Sequence, residues 1–368
     1  MAVKGLDIAF FGSSLLSAYW NGAATYYRGI IKELNALGHR VTFYEPDIYD
    51  RQENRDISVP SWARSVVYVA DELGLEEVLE MASKADVVVK TSGIGRFDGF
   101  LEEAVLRFQS RGTVVIFWDV DAPCTLDRVL HDRGDPFRRL IPRYDTIFTY
   151  GGGEPVVSAY RSLGARDCVP IYNALDPETH FPVPGEERFR GTLGFLGNRL
   201  PDREERVKEF FFRSAAMLPE RLFLLGGSGW ESDVPDYTNI RRLGHVFTHE
   251  HNVFNCSNLA VLNINRQSMA SYGYSPPTRI FEAAGAGACI ITDAWEGIEQ
   301  FLKPGSECLV ARNGGEVAEY VRELNSSDTA VMGEAARRRV LAEHTYSSRA
   351  RDVEQVLGTL VNREGVKL

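Results

Sequence analysis

Short apolar runs that end in small, acidic or amide residues recur along this chain, and each leads into a stretch whose apolar residues fall at helical spacing. LDIAFFGSS, RVTFYEP, ADVVVKTSG, GTVVIFWDVDAP, DTIFTYGGG and DCVPIYNAL form one series; GTLGFLGNR, RLFLLGGSG, NIRRLGHV, LAVLNINR, ACIITD and ECLVAR form a second. Strands alternating with helices in this way pair in parallel, because the helix is the crossover that brings the chain back in the same direction. From Ala23 to Leu37, Tyr26, Tyr27, Ile30, Ile31 and Leu34 share one helical face, and Gly38 ends the pattern. Further helices are expected from Glu204 to Met217, from Pro277 onward, and from Ala330 to about Leu360.

The stretch DPETHFPVPGEERFRG divides the two series, with three prolines and little periodic hydrophobicity. At 368 residues the chain also exceeds the roughly 250–300 residues that one core usually spans. The expected architecture is α/β, with two Rossmann-like, doubly wound domains facing each other across a cleft: residues 1–175, a linker at 176–191, and a second domain at 192–346. Ligands of such sheets sit outside the carboxyl ends of the strands, which makes the cleft the default site.

A formal charge of −10 argues against a broad nucleic-acid surface, and no apolar run approaches the ~20 residues that span a bilayer. The opening MAVKGLDIAFFGSS lacks a long apolar stretch and a cleavage site, so it reads as a first strand and the expected compartment is the cytoplasm. Cys124, Cys168, Cys256, Cys289 and Cys308 are scattered and read as reduced thiols; the seven histidines are taken to give no metal-ligand spacing, so no metal is expected.

The densest motif is SPPTRIFEAAGAGACIITD, Ser275–Asp293. Glu282 falls near a helix start marked by Ser275 and two prolines, where a carboxylate at the mouth of the sheet can take both hydroxyls of a ribose. Arg279, about one turn earlier, would face the same way and offer a cation to phosphate. The plain alternative is a helix-start glutamate favoured by the macrodipole, followed by small residues for packing. GTLGFLGNRLPDREER places a small-residue strand end before a helix, with Arg199, Arg203 and Arg206, a natural diphosphate cradle. A solvated basic helix face would also explain Arg203 and Arg206. LFLLGGSGW supplies a second small loop, suited to a flat base lying on backbone.

Taken in order, GNR, LLGGSG, LGHV and RIFEAAGAGACIITD resemble the donor half of GT-B glycosyltransferases. LNINR, the D-x-W-x-G of Asp293–Gly297, LKPGSECLVA and EHTYSSR are similar to the CgeB-like (spore-maturation) branch, as are SAYWNGAATYYRG, FWDVDAP and TYGGG in the first half, and YNALDPETHFP resembles that family's interdomain hinge. The resemblance implies that Glu282 binds the donor ribose and that Arg203, six residues after Gly197, meets the diphosphate. It places Gly226, Gly227 and His245 around the base, assigns Asn198, Arg199, Arg266 and Arg279 to the donor site, and has a C-terminal helix at 347–368 rejoin the first domain. Many retaining relatives carry an E-x7-E pair, whereas Tyr274 stands eight residues before Glu282 here.

The first half is expected to hold the acceptor. Ser13, Asn21 and Gly22, after the first strand, are candidates for diphosphate or sugar contacts, with Asn21 also the best helix-capping residue. Asp119 and Asp121 flank Val120 at a strand end, and either carboxylate is a candidate base for an acceptor hydroxyl. The implied activity is a metal-independent transfer of sugar from a nucleoside diphosphate, most readily a UDP-sugar, to a hydroxyl acceptor, with no cofactor, nucleic acid or transmembrane segment. An epimerase of the same fold and a non-catalytic nucleotide-sugar-binding protein are the alternatives.

Overall fold

A computed structural model describes residues 5–19, 21–232 and 234–364, so the last four residues of the expected C-terminal helix lie outside it. The chain divides into two compact units, one running up to Tyr172 and resuming at Tyr346, the other Asn173–Thr345.

The first unit carries β1 (Asp7–Phe11), β2 (Arg40–Asp47), β3 (Arg64–Val69), β4 (Val87–Thr91), β5 (Val114–Asp119), β6 (Thr146–Thr149) and β7 (Cys168–Pro170). They form a parallel sheet in the order β3-β2-β1-β4-β5-β6-β7, with Phe10 opposite Phe43 on one side and Val89 on the other. Every residue of β4, β5 and β6 is buried, as strands covered on both faces must be. Strand β3 is absent from the sequence reading. It lies at the sheet edge, where most of its residues are partly exposed although Val66–Val69 are all apolar.

The second unit carries β8 (Gly191–Leu196), β9 (Phe223–Gly226), β10 (Ile240–Gly244), β11 (Asn258–Asn263), β12 (Ile290–Asp293) and β13 (Leu309–Ala311), again parallel, in the order β10-β9-β8-β11-β12-β13. Both sheets reverse their winding beside the first strand, between β1 and β4 and between β8 and β11. Open α/β sheets bind ligands at that reversal. Among the described residues, no helix is long and apolar enough to cross a membrane.

The single helical stretch expected from Ala330 to Leu360 is two helices, Ser326–Glu343 and Tyr346–Glu364. The break is a packing event. His344 is buried beside Phe281 and Phe301, and its carbonyl accepts the Leu175 amide at 2.8 Å instead of continuing the helical ladder. The last helix then packs on Ala24–Ala36, where Gly29 faces the Tyr346 ring so closely that any Cβ would run into it. A glycine inside a helix costs ~1 kcal/mol relative to alanine, and this close approach explains its presence.

Gly29→Val should therefore destabilise the protein by about 1–3 kcal/mol, the usual cost of overpacking. Gly22→Ala, with open space around its Cβ, should stay within about 0.5 kcal/mol. Urea denaturation midpoints of the two variants check the contrast.

Candidate functional site

The carboxyl ends of β8, β9 and β10 are stitched side by side: the Gly197 amide donates to Gly226 O (2.9 Å) and the Gly227 amide to Gly244 O (2.7 Å). Gly227 has φ +121° and faces the Gly197 carbonyl and the Asn198 amide directly, so a side chain there would separate the two loops. Gly226 and Gly227 thus set the spacing of the loops. Exposed Asn198 fastens the same junction, its Oδ1 accepting the Ser228 amide at 3.0 Å.

Two guanidinium groups converge beside Gly197. A Cβ built there would lie 2.8 Å from Arg203 Nη1 and 3.0 Å from Arg279 Nη2. Arg279 is held by Asn263 Oδ1 at 3.2 Å and lies 5.5 Å over the Phe195 ring, and no carboxylate among the described residues is within ion-pair distance of it. Burial depresses its pKa, with Glu282 and Asp293 acting in the opposite direction at longer range. A largely enclosed cation at the winding reversal, without a salt bridge of its own, is a place for an anion.

Three further arginines of this unit pair with carboxylates. Arg199 forms a bidentate pair with Glu204 (2.8 and 3.0 Å) and reaches Ser232 O (2.9 Å), so it clamps two loops together. Arg206 closes on buried Asp293 at 2.6 Å, and Arg266 pairs with Asp202 at 3.0 Å. Arg199 and Arg266, assigned to the donor site by the resemblance, thus each have a carboxylate partner.

Glu282 lies in the helix Thr278–Gly285, whose N-cap is Pro277 and has no side-chain cap bond; Ser275 bonds instead to Gly273 O. Its carboxylate sits between two imidazoles, His180 Nε2 at 3.7 Å and His251 Nδ1 at 3.4 Å. Burial pushes the Glu282 carboxyl up, but the two histidines and Arg279 outweigh it and bring its pKa to about 2. His245 is exposed just past β10 and meets Phe247 edge-on at 4.7 Å between centroids. Tyr274, at φ +45°, donates its hydroxyl to Glu296 at 3.1 Å.

In the first unit, Asn21 does not cap the following helix. Its amide donates to Ser14 O (2.8 Å) and Ser17 O (3.1 Å) while its Oδ1 accepts from Ser13 Oγ (2.9 Å), so Ser13 and Asn21 brace the loop after β1 from within. Gly22 is exposed. Asp119 is fully buried and accepts from Ser92 Oγ (2.7 Å), Tyr160 Oη, the Asp121 amide (3.0 Å) and Thr125 Oγ1 (3.1 Å). Both oxygens of Asp119, a candidate base in the sequence, are thus engaged by neighbouring donors. Asp121 is half-buried, and its side chain makes no cap bond to the helix it opens.

His180, His251 and Asn265 escaped the sequence reading. His249 and His251 do stand at His-x-His spacing, contrary to the view that the histidines show no such pattern. The structure parts them: His249 stacks on Phe247 (5.8 Å between centroids) while His251 turns to Glu282, and no metal-holding cluster of three or more ligands occurs among the described residues. Asn265, in the LNINR motif, is buried two residues past β11, with its side-chain amide unpartnered among the described residues.

Residues 203–355 match the family described as glycosyl transferase-like. No curated protein matches the sequence. Among solved structures, the chain is similar to sucrose-phosphate synthase of Thermosynechococcus elongatus (14% identity, 97% of this chain and 100% of that one, TM-score 0.67). It is similar also to Anabaena HepE in complex with UDP-glucose (12%, 96% and 100%, TM-score 0.64). A third is an α-glucosyltransferase in complex with UDP-glucose and DNA containing an abasic site (11%, 96% and 100%, TM-score 0.68). At these identities the likeness establishes the fold, two Rossmann-like sheets of the GT-B type. The family match, over residues 203–355, supports a transferase.

Two outcomes follow from the carboxylates. Asp119→Ala would orphan several buried donors at about 1–3 kcal/mol each, so it should lose more than about 3 kcal/mol of stability in urea denaturation. Glu282, with a folded pKa of about 2 against an ordinary 4.5, stabilises the fold above the ordinary value and loses that contribution as pH falls toward 2. Denaturation between pH 5 and 3 should show a steeper loss for the wild type than for Glu282→Gln.

Proposed function

We propose that this chain transfers a sugar from a nucleoside diphosphate sugar to a hydroxyl acceptor, without a divalent cation, and that it belongs with the CgeB-like branch its motifs resemble. The observation that carries the reading is the meeting of the Arg203 and Arg279 guanidiniums at Gly197, just past the end of β8 beside the winding reversal, with Glu282 one turn along from Arg279 on the same helix. Two guanidiniums there supply the counter-charge for a departing diphosphate, and a carboxylate nearby suits ribose hydroxyls. Buried Asn265 adds both a donor and an acceptor beyond β11. The UDP-glucose complexes of two proteins with the same fold favour uridine as the base.

In the reaction, the acceptor oxygen bonds to the anomeric carbon as the bond from that carbon to the diphosphate breaks. The nucleoside diphosphate leaves as an anion, held by Arg203 and Arg279. The hydroxyl proton passes to a base, for which Asp121, half-buried just past the end of β5, is the better placed of the two candidate carboxylates.

A thermal-shift series with UDP, GDP, ADP and TDP tests the donor site. A true ligand at a hundred times its Kd adds ~2.7 kcal/mol of stability, and four flat responses would remove the reading. Arg203→Ala and Arg279→Ala should weaken UDP binding by roughly ten- to a hundredfold and uridine binding far less, because charge-assisted bonds to phosphate are what is lost. Calorimetry with both ligands decides. Asp121→Asn should cut turnover by about 10²–10⁴ while leaving UDP affinity intact. Wild-type turnover in that variant would sink the base assignment.

A further inference from the structure

We infer that His180 and His251 are positioning residues for Glu282, holding its carboxylate in the orientation that receives the ribose hydroxyls of the nucleoside diphosphate. The inference rests on the donor reading above and names what makes that site selective for ribose. His180 is 3% exposed, and neither of its ring nitrogens has a hydrogen-bond partner among the described residues. A buried imidazole left unfilled costs free energy, so its placement needs a reason. Its Nε2 faces Glu282 Oε1 at 3.7 Å, while His251 Nδ1 faces Oε2 at 3.4 Å, one ring to each oxygen. The two rings are nearly parallel, 26° apart, with centroids 6.5 Å from one another.

The distances distinguish guidance from saturation. Formed charge-assisted bonds are about 2.7–2.9 Å long. Asp293 in the same unit is closed in that way, by Arg206 at 2.6 Å and the Asn265 amide at 2.9 Å. Glu282 is attracted from two sides at longer range, which restrains its rotamer and favours ionisation yet leaves lone pairs on both oxygens. Two vicinal hydroxyls need just such an acceptor: fixed, charged and unsaturated.

Three local features bring the histidines there. Asp176 folds the hinge segment into a turn, its carboxylate accepting the Glu178 amide (3.0 Å) and Thr179 Oγ1 (3.1 Å) while its carbonyl accepts the His180 amide (3.0 Å). Asn252 Nδ2 donates to Thr179 O at 2.9 Å and so ties that turn to the helix His251–Ser257. Gly285, three residues beyond Glu282, has no side chain where the His180 carbonyl and Leu175 rest; a Cβ would lie 3.0 Å from that carbonyl.

The test is calorimetry of UDP and 2′-deoxy-UDP with wild type, His180→Ala, His251→Ala and His180→Gln. A hydrogen bond from the 2′-hydroxyl to a charged carboxylate sets a wild-type preference for UDP of roughly tenfold or more. The two alanine variants should shrink that preference toward one while holding 2′-deoxy-UDP near its wild-type affinity. His180→Gln, which keeps a donor within reach, should recover part of it. His251 is only partly buried, so its variant reads the effect even where His180→Ala folds poorly. An unchanged preference in the alanine variants, or equal losses for both nucleotides, overturns the inference and leaves the donor reading standing. A wild type that binds UDP with no preference over its deoxy form, or does not bind it, overturns both.

Discussion

At the strand ends of the second unit, charge has been taken out of water, and the surrounding structure compensates it group by group. Asp293 has no solvent exposure, and burial pushes its carboxyl pKa up against the pull of Arg206. Glu282 is enclosed yet kept ionised by the positive side chains around it. Arg279 has an amide oxygen and an aromatic face in place of a carboxylate. An uncompensated buried ion costs several kcal/mol. The helix register, the hinge turn and the approach of His251 are therefore constrained together, since displacing any of them strands a charge.

Close backbone approach makes that compensation geometrically possible. Gly197 lies between two guanidiniums, Gly227 against the Gly197 loop, and Gly285 under the hinge segment. A methyl group would press on a guanidinium at Gly197, on a strand-end loop at Gly227, and on Leu175 and the His180 carbonyl at Gly285. The first unit has the same winding but fastens its first loop differently. Buried Glu45 of β2 accepts the Leu15 and Leu16 amides, and Ser13 and Asn21 satisfy one another. That loop uses its polar groups internally, while the matching loop after β8 brings cations together.

The position of the candidate site was legible because motif order tracks strand order: GNR, LLGGSG, LGHV and LNINR each end a strand, and ligands gather at strand ends. The pairings that were not legible share one cause. Arg199, Arg203 and Arg266 look alike in sequence, since a cation near a glycine-rich loop carries no mark of its partner. Glu204 pairs with Arg199 and Asp202 with Arg266, through contacts 5 and 64 residues apart along the chain. Asp119 and Asp121 share one motif and one strand end, but Tyr160, 41 residues away, helps to bury and satisfy Asp119 alone.

The sequence by itself determined the α/β class, the two parallel series and the strand ends where chemistry could gather, because hydrophobic period and small-residue punctuation are local properties. Tertiary structure decided which charges are spent and which remain. It added the edge strand β3, broke the final helix at His344 and brought His180 to Glu282, residues 102 positions apart whose meeting depends on the missing side chain of Gly285. Ion pairing, burial and close packing are set by neighbours in space, and no local pattern encodes who those neighbours are.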